Sequence, residues 1–177
     1  MLKYAVAVVC LFAMAFTSSS ALAANDQGML TNKDKKFIHE AATGGREEVA
    51  LGKLATQKAS SPDVKQFGQR MVDDHSKAND QLEQLAKNKS VDLSMNKDKT
   101  DKKIQSAVDK LSKYDGADFD KHYMDMMVKD HQKDVHEFEQ ASKDAQDPQV
   151  KSFATQTLPT LQEHLQLAEQ IKAKLGE

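Results

Sequence analysis

Two segments share one pattern, Met-Val-x-Asp-His-x-Lys: Met71 to Lys77 and Met127 to Lys133. In each, the Met and the His stand four residues apart, so a helix carries both on one face. The histidines fall inside apolar seams. His75 interrupts the run Val64, Phe67, Met71, Ala78, Leu82, Leu85, and His131 sits between Met127 and Val135/Phe138. His164 follows Leu161 and precedes Ala168 in a third seam, and Glu48 lies near the middle of the apolar arc Phe37, Ile38, Ala41, Gly45, Gly52, Ala55, Ala59. An imidazole or a carboxylate inside a packed seam requires a hydrogen-bond partner, a metal or a pH-dependent role.

Two chemistries fit these residue types. His75, His131 and His164 with the carboxylates Glu48 and Asp134 suit Zn(II), Cu(II) or Ni(II), whereas the pairs Met71/His75 and Met127/His131 suit Cu(I). The plainer reading needs no cofactor: the histidines hydrogen-bond to Glu48, Asp134 or water and set the register of a bundle, while the methionines are packing. A di-iron site of the ferritin kind would need Glu-x-x-His on two helices. Val72 and Leu161 stand three residues before His75 and His164, so that pattern fails. No Ser-His-Asp order, thiol nucleophile, phosphate-binding glycine loop or dinucleotide fingerprint is present, and no enzymatic activity is expected. His39, His122 and His136 read as peripheral.

The elements that must position these side chains are helices. Few Gly, three Pro, no Trp and abundant Lys, Gln, Asp and Ala point to an all-α chain. Residues 1–23 read as a secretory signal, with Lys3, the apolar run Ala5 to Phe16, and Ala21-Leu22-Ala23 at the cleavage site. That run is too short to span a membrane, and it contains the single cysteine, Cys10. Export to the periplasm follows, with peripheral association to the outer membrane as a variant, and with no membrane span after cleavage. Without residues 1–23 the chain carries 24 basic and 27 acidic residues, dispersed, which gives no footprint for nucleic acid.

Residues 24–31 read as a loose N-terminus, and residues 32–177 as one helical bundle. Thr31 or Asn32 caps a first helix to about Ala59. Ser61-Pro62-Asp63 starts a second, to about Lys87. A polar crossover, residues 88–118, carries one short amphipathic helix marked by Ile104, Ala107/Val108, Leu111 and Tyr114, closed by Asp115-Gly116. Asp118 caps the next helix, and Asp147-Pro148 starts the last, which Pro159 should kink. The helical rise then places Glu48 level with Asp73, within a turn of His75, and His131 level with Gln162, within a turn of His164. Whether these two pairs share one height depends on the crossover.

An offset of 86 residues relates Ser61-Pro62-Asp63-Val64-Lys65-Gln66-Phe67 to Asp147-Pro148-Gln149-Val150-Lys151-Ser152-Phe153, and places Glu48 opposite Asp134. Two repeated antiparallel hairpins joined by a long crossover describe a ferritin-like four-helix bundle. The segments FIHEAATGGREEVALGKL (Phe37 to Leu54), MVDDHSKAN (Met71 to Asn79), FDKHYMDMMVKDH (Phe119 to His131) and LPTLQEHL (Leu158 to Leu165) resemble the bacterial family called domain of unknown function 4142. Its members are often labelled predicted outer membrane proteins. The resemblance implies a secreted, ferritin-like helical bundle and brings no activity with it. The expectation is therefore a non-enzymatic protein of the envelope, acting in its maintenance, in stress tolerance or on an envelope partner protein. A metal-binding or metal-buffering bundle using the His/Glu layer is the alternative, and a metal-dependent oxidoreductase the third.

Overall fold

The computed structural model describes residues 30–176; the expected signal segment and most of the loose N-terminus lie outside them. Five helices follow in order: α1 (Asn32–Lys58), α2 (Pro62–Asn88), α3 (Lys97–Leu111), α4 (Gly116–Asp144) and α5 (Pro148–Lys174). The chain is all-α, with no strand among the described residues, where a lone bridge joins Ala59 to Gly116. Thr31 caps α1 in a reciprocal box: its hydroxyl accepts from Asp34 N at 3.1 Å, and Asp34 accepts from Thr31 N at 3.0 Å. Asp147 caps α5 by accepting from Gln149 N and Val150 N at 2.9 and 3.2 Å, with Pro148 in the first turn. Pro159 is accommodated inside α5, which remains one element.

The start of α4 differs from the sequence expectation. Asp115, not Asp118, is the N-cap residue, and Phe119 N donates to Asp115 O at 3.3 Å. Gly116 takes a φ of +58°, a conformation that costs glycine little, so Asp115-Gly116 opens the long helix instead of closing the short one. Within the crossover, α3 buries only Leu111, while Ile104, Ala107 and Val108 stay half-buried. Tyr114 is exposed and lies against the His122 ring.

The long helices close a ring: α1 packs on α2, α2 on α5, α5 on α4 and α4 on α1, while α3 lies across α1 and α4. Small residues bring α1 and α2 together, since a Cβ on Gly52 would lie 2.6 Å from the Gly68 carbonyl oxygen. Polar clamps then fix one hairpin against the other. Asp120, buried at the start of α4, accepts from Ser60 N at 3.0 Å and from Ser61 N at 2.8 Å in the α1–α2 turn. Asp34, buried at the start of α1, accepts from Gln146 N at 3.3 Å in the α4–α5 turn. These two contacts are related by the same 86-residue offset that the sequence shows, Asp34 to Asp120 and Ser60 to Gln146. Lys89, after α2, adds an ion pair with the buried Asp147 at 2.6 Å.

The interior consists of two apolar clusters. One gathers Leu51, Phe67, Met71, Leu111, Phe119, Tyr123, Met124, Met127 and Ile171 around the α1–α2 turn. The other gathers Ile38, Leu82, Leu85, Phe138, Val150, Phe153 and Leu161 around the α4–α5 turn. Along every long helix the two clusters are separated by a gap of about two to three turns. One buried polar residue stands in each gap: Glu48 on α1, His75 on α2, His131 on α4 and His164 on α5.

Candidate metal centre

Helical rise alone accounts for the levels within a hairpin. A Cβ on Gly45 would meet Asn79 and one on Gly52 would meet Met71 and Val72, so residues whose numbers sum to about 124 face each other across α1 and α2. Glu48 is then level with residue 76, beside His75. The clamps at the bundle ends bring the second hairpin to the same height, and the four polar positions form one layer.

Three of them converge. One ligand nitrogen from each of His75, His131 and His164 lies within 4.8 Å of the other two, and the three rings sit 5.3 to 5.7 Å apart by centroid. Phe67 covers them from one side, with its ring 6.3 Å from that of His131 and 6.5 Å from that of His164. His75 Nε2, His131 Nε2 and His164 Nδ1 are fully buried and have no hydrogen-bond partner among the protein atoms. Around a tetrahedral zinc with Zn–N of about 2.0–2.1 Å, nitrogens stand roughly 3.3 Å apart. Closing the cluster onto an ion thus asks for shifts of about 1 Å, within the range of side-chain torsions.

Two of the rings are held in the tautomer that coordination needs. The Met127 carbonyl can only accept, so at 2.9 Å it takes the proton of His131 Nδ1 and leaves the Nε2 lone pair free. Asp74 accepts from His164 Nε2 at 2.8 Å, which frees Nδ1. Asp74 is itself held by Arg70 Nε at 3.2 Å, and Arg70 reaches Glu163 at 2.7 Å, so an acid–base chain runs from the ring to the surface. Carboxylate and carbonyl partners on the far nitrogen are what orient metal-bound histidines.

Electrostatics keep the three rings neutral. Burial, then repulsion from His131 and His164, pushes His75 down to about 3. Burial and His164 push His131 down to about 4. Burial also lowers His164, against the opposing pull of Asp74. Desolvation works against the charge of Asp74, but its hydrogen bonds to His164 and Arg70 prevail and lower its pKa. Neutral imidazoles with free lone pairs are the form that binds a metal.

A profile of the family described as domain of unknown function (DUF4142) matches residues 19–171, most of the chain. The chain belongs to the DUF4142 family. No curated protein and no solved structure matches it. In this DUF4142 chain, Glu48 and Asp134 are not part of the convergent set, although the sequence groups them with the histidines. Glu48 is 2 % exposed, with Oε2 unpartnered. Burial, followed by the charges of Asp134, Asp130 and Glu47, raises its carboxyl well above the usual value. Asp134, partly exposed on the next turn after His131, is raised by burial to about 7. Both face a cleft on the α1–α4 side. Met71 and Met127 are buried in the adjoining apolar cluster. His39 is half-buried and His122 and His136 are exposed.

The orienting role of Asp74 escapes a linear reading. The signal is present, because each repeated segment places Asp directly before His. Yet on a helix such neighbours diverge by about 100°, and Asp74 serves His164 across the bundle instead of His75 beside it. No helix among the described residues is long and apolar enough to cross a membrane.

Proposed function

We propose that this DUF4142 chain is an exported metal-binding bundle that holds one imidazole-binding d-block cation, Zn(II) in the first place, on His75, His131 and His164. One observation carries the reading: three histidines on three helices each bring a ring nitrogen within 4.8 Å of the other two, and each ring has a buried nitrogen with no protein partner. Among the described residues no ring-to-ring or ring-to-Glu48 hydrogen bond competes for these nitrogens. Neutral rings and far-side partners support the same conclusion. The role is binding or buffering in the cell envelope; export rests on Lys3, the apolar run and Ala21-Leu22-Ala23 in residues 1–23.

The test uses protein without an affinity tag, stripped of metal and titrated with Zn(II), Cu(II) and Ni(II). One equivalent should bind, and at 100 times Kd it should stabilise the fold by about 2.7 kcal/mol. For a domain of this size that raises Tm by roughly 5–10 °C. His75→Ala and His131→Ala should each melt at one temperature with or without metal. A wild-type melt indifferent to all three ions, with no metal in the purified protein, would sink the reading.

A further inference from the structure

The cleft between α1, α4 and the crossover has a volume of about 570 Å³. Its walls carry five carboxylates, Glu40, Glu47, Glu48, Asp130 and Asp134, and three lysines. The lysines are engaged: Lys36 with Glu40 at 3.4 Å, Lys103 with Glu47 at 2.9 Å and Lys133 with Glu137 at 3.1 Å. Asp130, Asp134 and the buried Glu48 make no direct ion pair among the described residues. The unpartnered Glu48 Oε2 belongs to a side chain only 2 % exposed that lines this cleft. Burying a carboxylate without a partner is costly, and a cation in the cleft would offset that cost.

A smaller void adjoins the cleft. Gly44 and Asp134 line both, and the void, of about 20 Å³, has room for about one water. His75 lines that void too, together with Asn79 and Thr157. The throat at Gly44 has no side chain, and the Cβ it lacks would meet nothing nearer than Asp134 Oδ2 at 4.0 Å. Oxygen donors therefore run from the outer cleft to the edge of the histidine layer. Phe67 and the apolar clusters close the layer along the bundle axis, whereas an opening of about 240 Å³ on the α2–α5 side is lined by His75 and His164 but carries only one carboxylate, Asp74, beside Lys77.

We propose that the acid-lined cleft, and not the less acidic opening beside His164, is the cation entrance to the histidine layer, with Asp134 handing the incoming divalent ion past Gly44 to His75. This rests on the metal-binding reading above. A carboxylate that guides an ion without holding it in the final complex lowers the barrier in both directions. Its removal slows loading and release by one factor and leaves Kd unchanged.

The experiment is stopped-flow loading of the full exported chain with Co(II), followed by the visible absorption that imidazole ligation gives, and release into excess chelator. Asp134→Asn should slow both steps on the order of tenfold, the lower end of electrostatic guidance, with Kd within about threefold of wild type. Glu83→Gln, on an exposed part of α2, removes one charge elsewhere and should change neither rate. Wild-type rates in Asp134→Asn would overturn the entrance. So would a faster release at unchanged loading, which would make Asp134 a ligand. Failure of wild type to bind Co(II) or Zn(II) at all would instead remove the metal reading, and the entrance with it.

Discussion

Gly44 and Gly52 lie two turns apart on α1, and the same substitution at each should have opposite effects. Alanine in a helix interior is favoured over glycine by about 1 kcal/mol. At Gly44 the new Cβ meets nothing within ordinary contact, its nearest neighbour being Asp134 Oδ2 at 4.0 Å, so Gly44→Ala should keep that gain. At Gly52 the Cβ would lie 2.6 Å from the Gly68 carbonyl oxygen and 3.1 Å from Met71 Cβ and Val72 Cγ2. The backbone oxygen cannot turn away, so α1 and α2 must part by several tenths of an ångström. Overpacking of this kind costs about 1–3 kcal/mol, which cancels or exceeds the propensity gain. With about 2–4 °C of Tm per kcal/mol for a chain of this length, Gly44→Ala should melt about 2–4 °C higher than wild type. Gly52→Ala should melt at or below wild type, by as much as about 8 °C. Far-UV circular dichroism melts on metal-free protein decide it. An equal rise in both variants would refute the close α1–α2 approach, and with it the level that places Glu48 beside His75.

Two further outcomes follow from the buried polar groups. His75 and His131, held near 3 and 4 in the fold against about 6.5 unfolded, contribute fully above pH 6.5 and lose their contribution as pH falls towards the folded values. At pH 5 the loss is about 2 kcal/mol for each. Glu48 and Asp134 are raised and slope the other way: their contribution is full at low pH and fades as pH rises through the folded value, which for Asp134 is about 7. Wild type in chelator should therefore lose less Tm between pH 7 and 5 than a variant without the two carboxyl groups. Glu48→Gln/Asp134→Asn, stripped of the opposing slope, should drop clearly over that interval; parallel profiles would contradict this assignment. Asp120→Ala frees Ser60 N and Ser61 N, and should cost about 3 kcal/mol by denaturant titration, while also weakening metal affinity because the hairpins lose a clamp. A loss below about 1 kcal/mol would mean the clamp does not set the register.

Much of this protein is local and could be read in the line of residues. Helix spans follow from periodicity and from start signals such as Thr31, Ser61-Pro62 and Asp147-Pro148, all short-range effects. The single polar interruption in each seam marks Glu48, His75, His131 and His164, because a polar group among 3/4-spaced apolar residues is conspicuous without coordinates. Levels within a hairpin follow from the rise per residue and a short turn. The start of α4 is ambiguous in the sequence because Asp115-Gly116 satisfies the rules for both a helix end and a helix start, and only the left-handed Gly116 with the Ala59 bridge resolves it.

Tertiary structure decided what links the two hairpins. A long crossover leaves their relative height open, and it is the contacts of Asp120 with the α1–α2 turn, Asp34 with Gln146 and Lys89 with Asp147 that fix it. Only at that height do three histidines meet. The rotation of α1 and α4 then turns Glu48 and Asp134 towards the lateral cleft, out of the convergent set with which the sequence had grouped them. Asp74 became visible as the partner of His164 for the same reason. A side chain's direction on one helix has meaning for a site only once the neighbouring helix is placed against it.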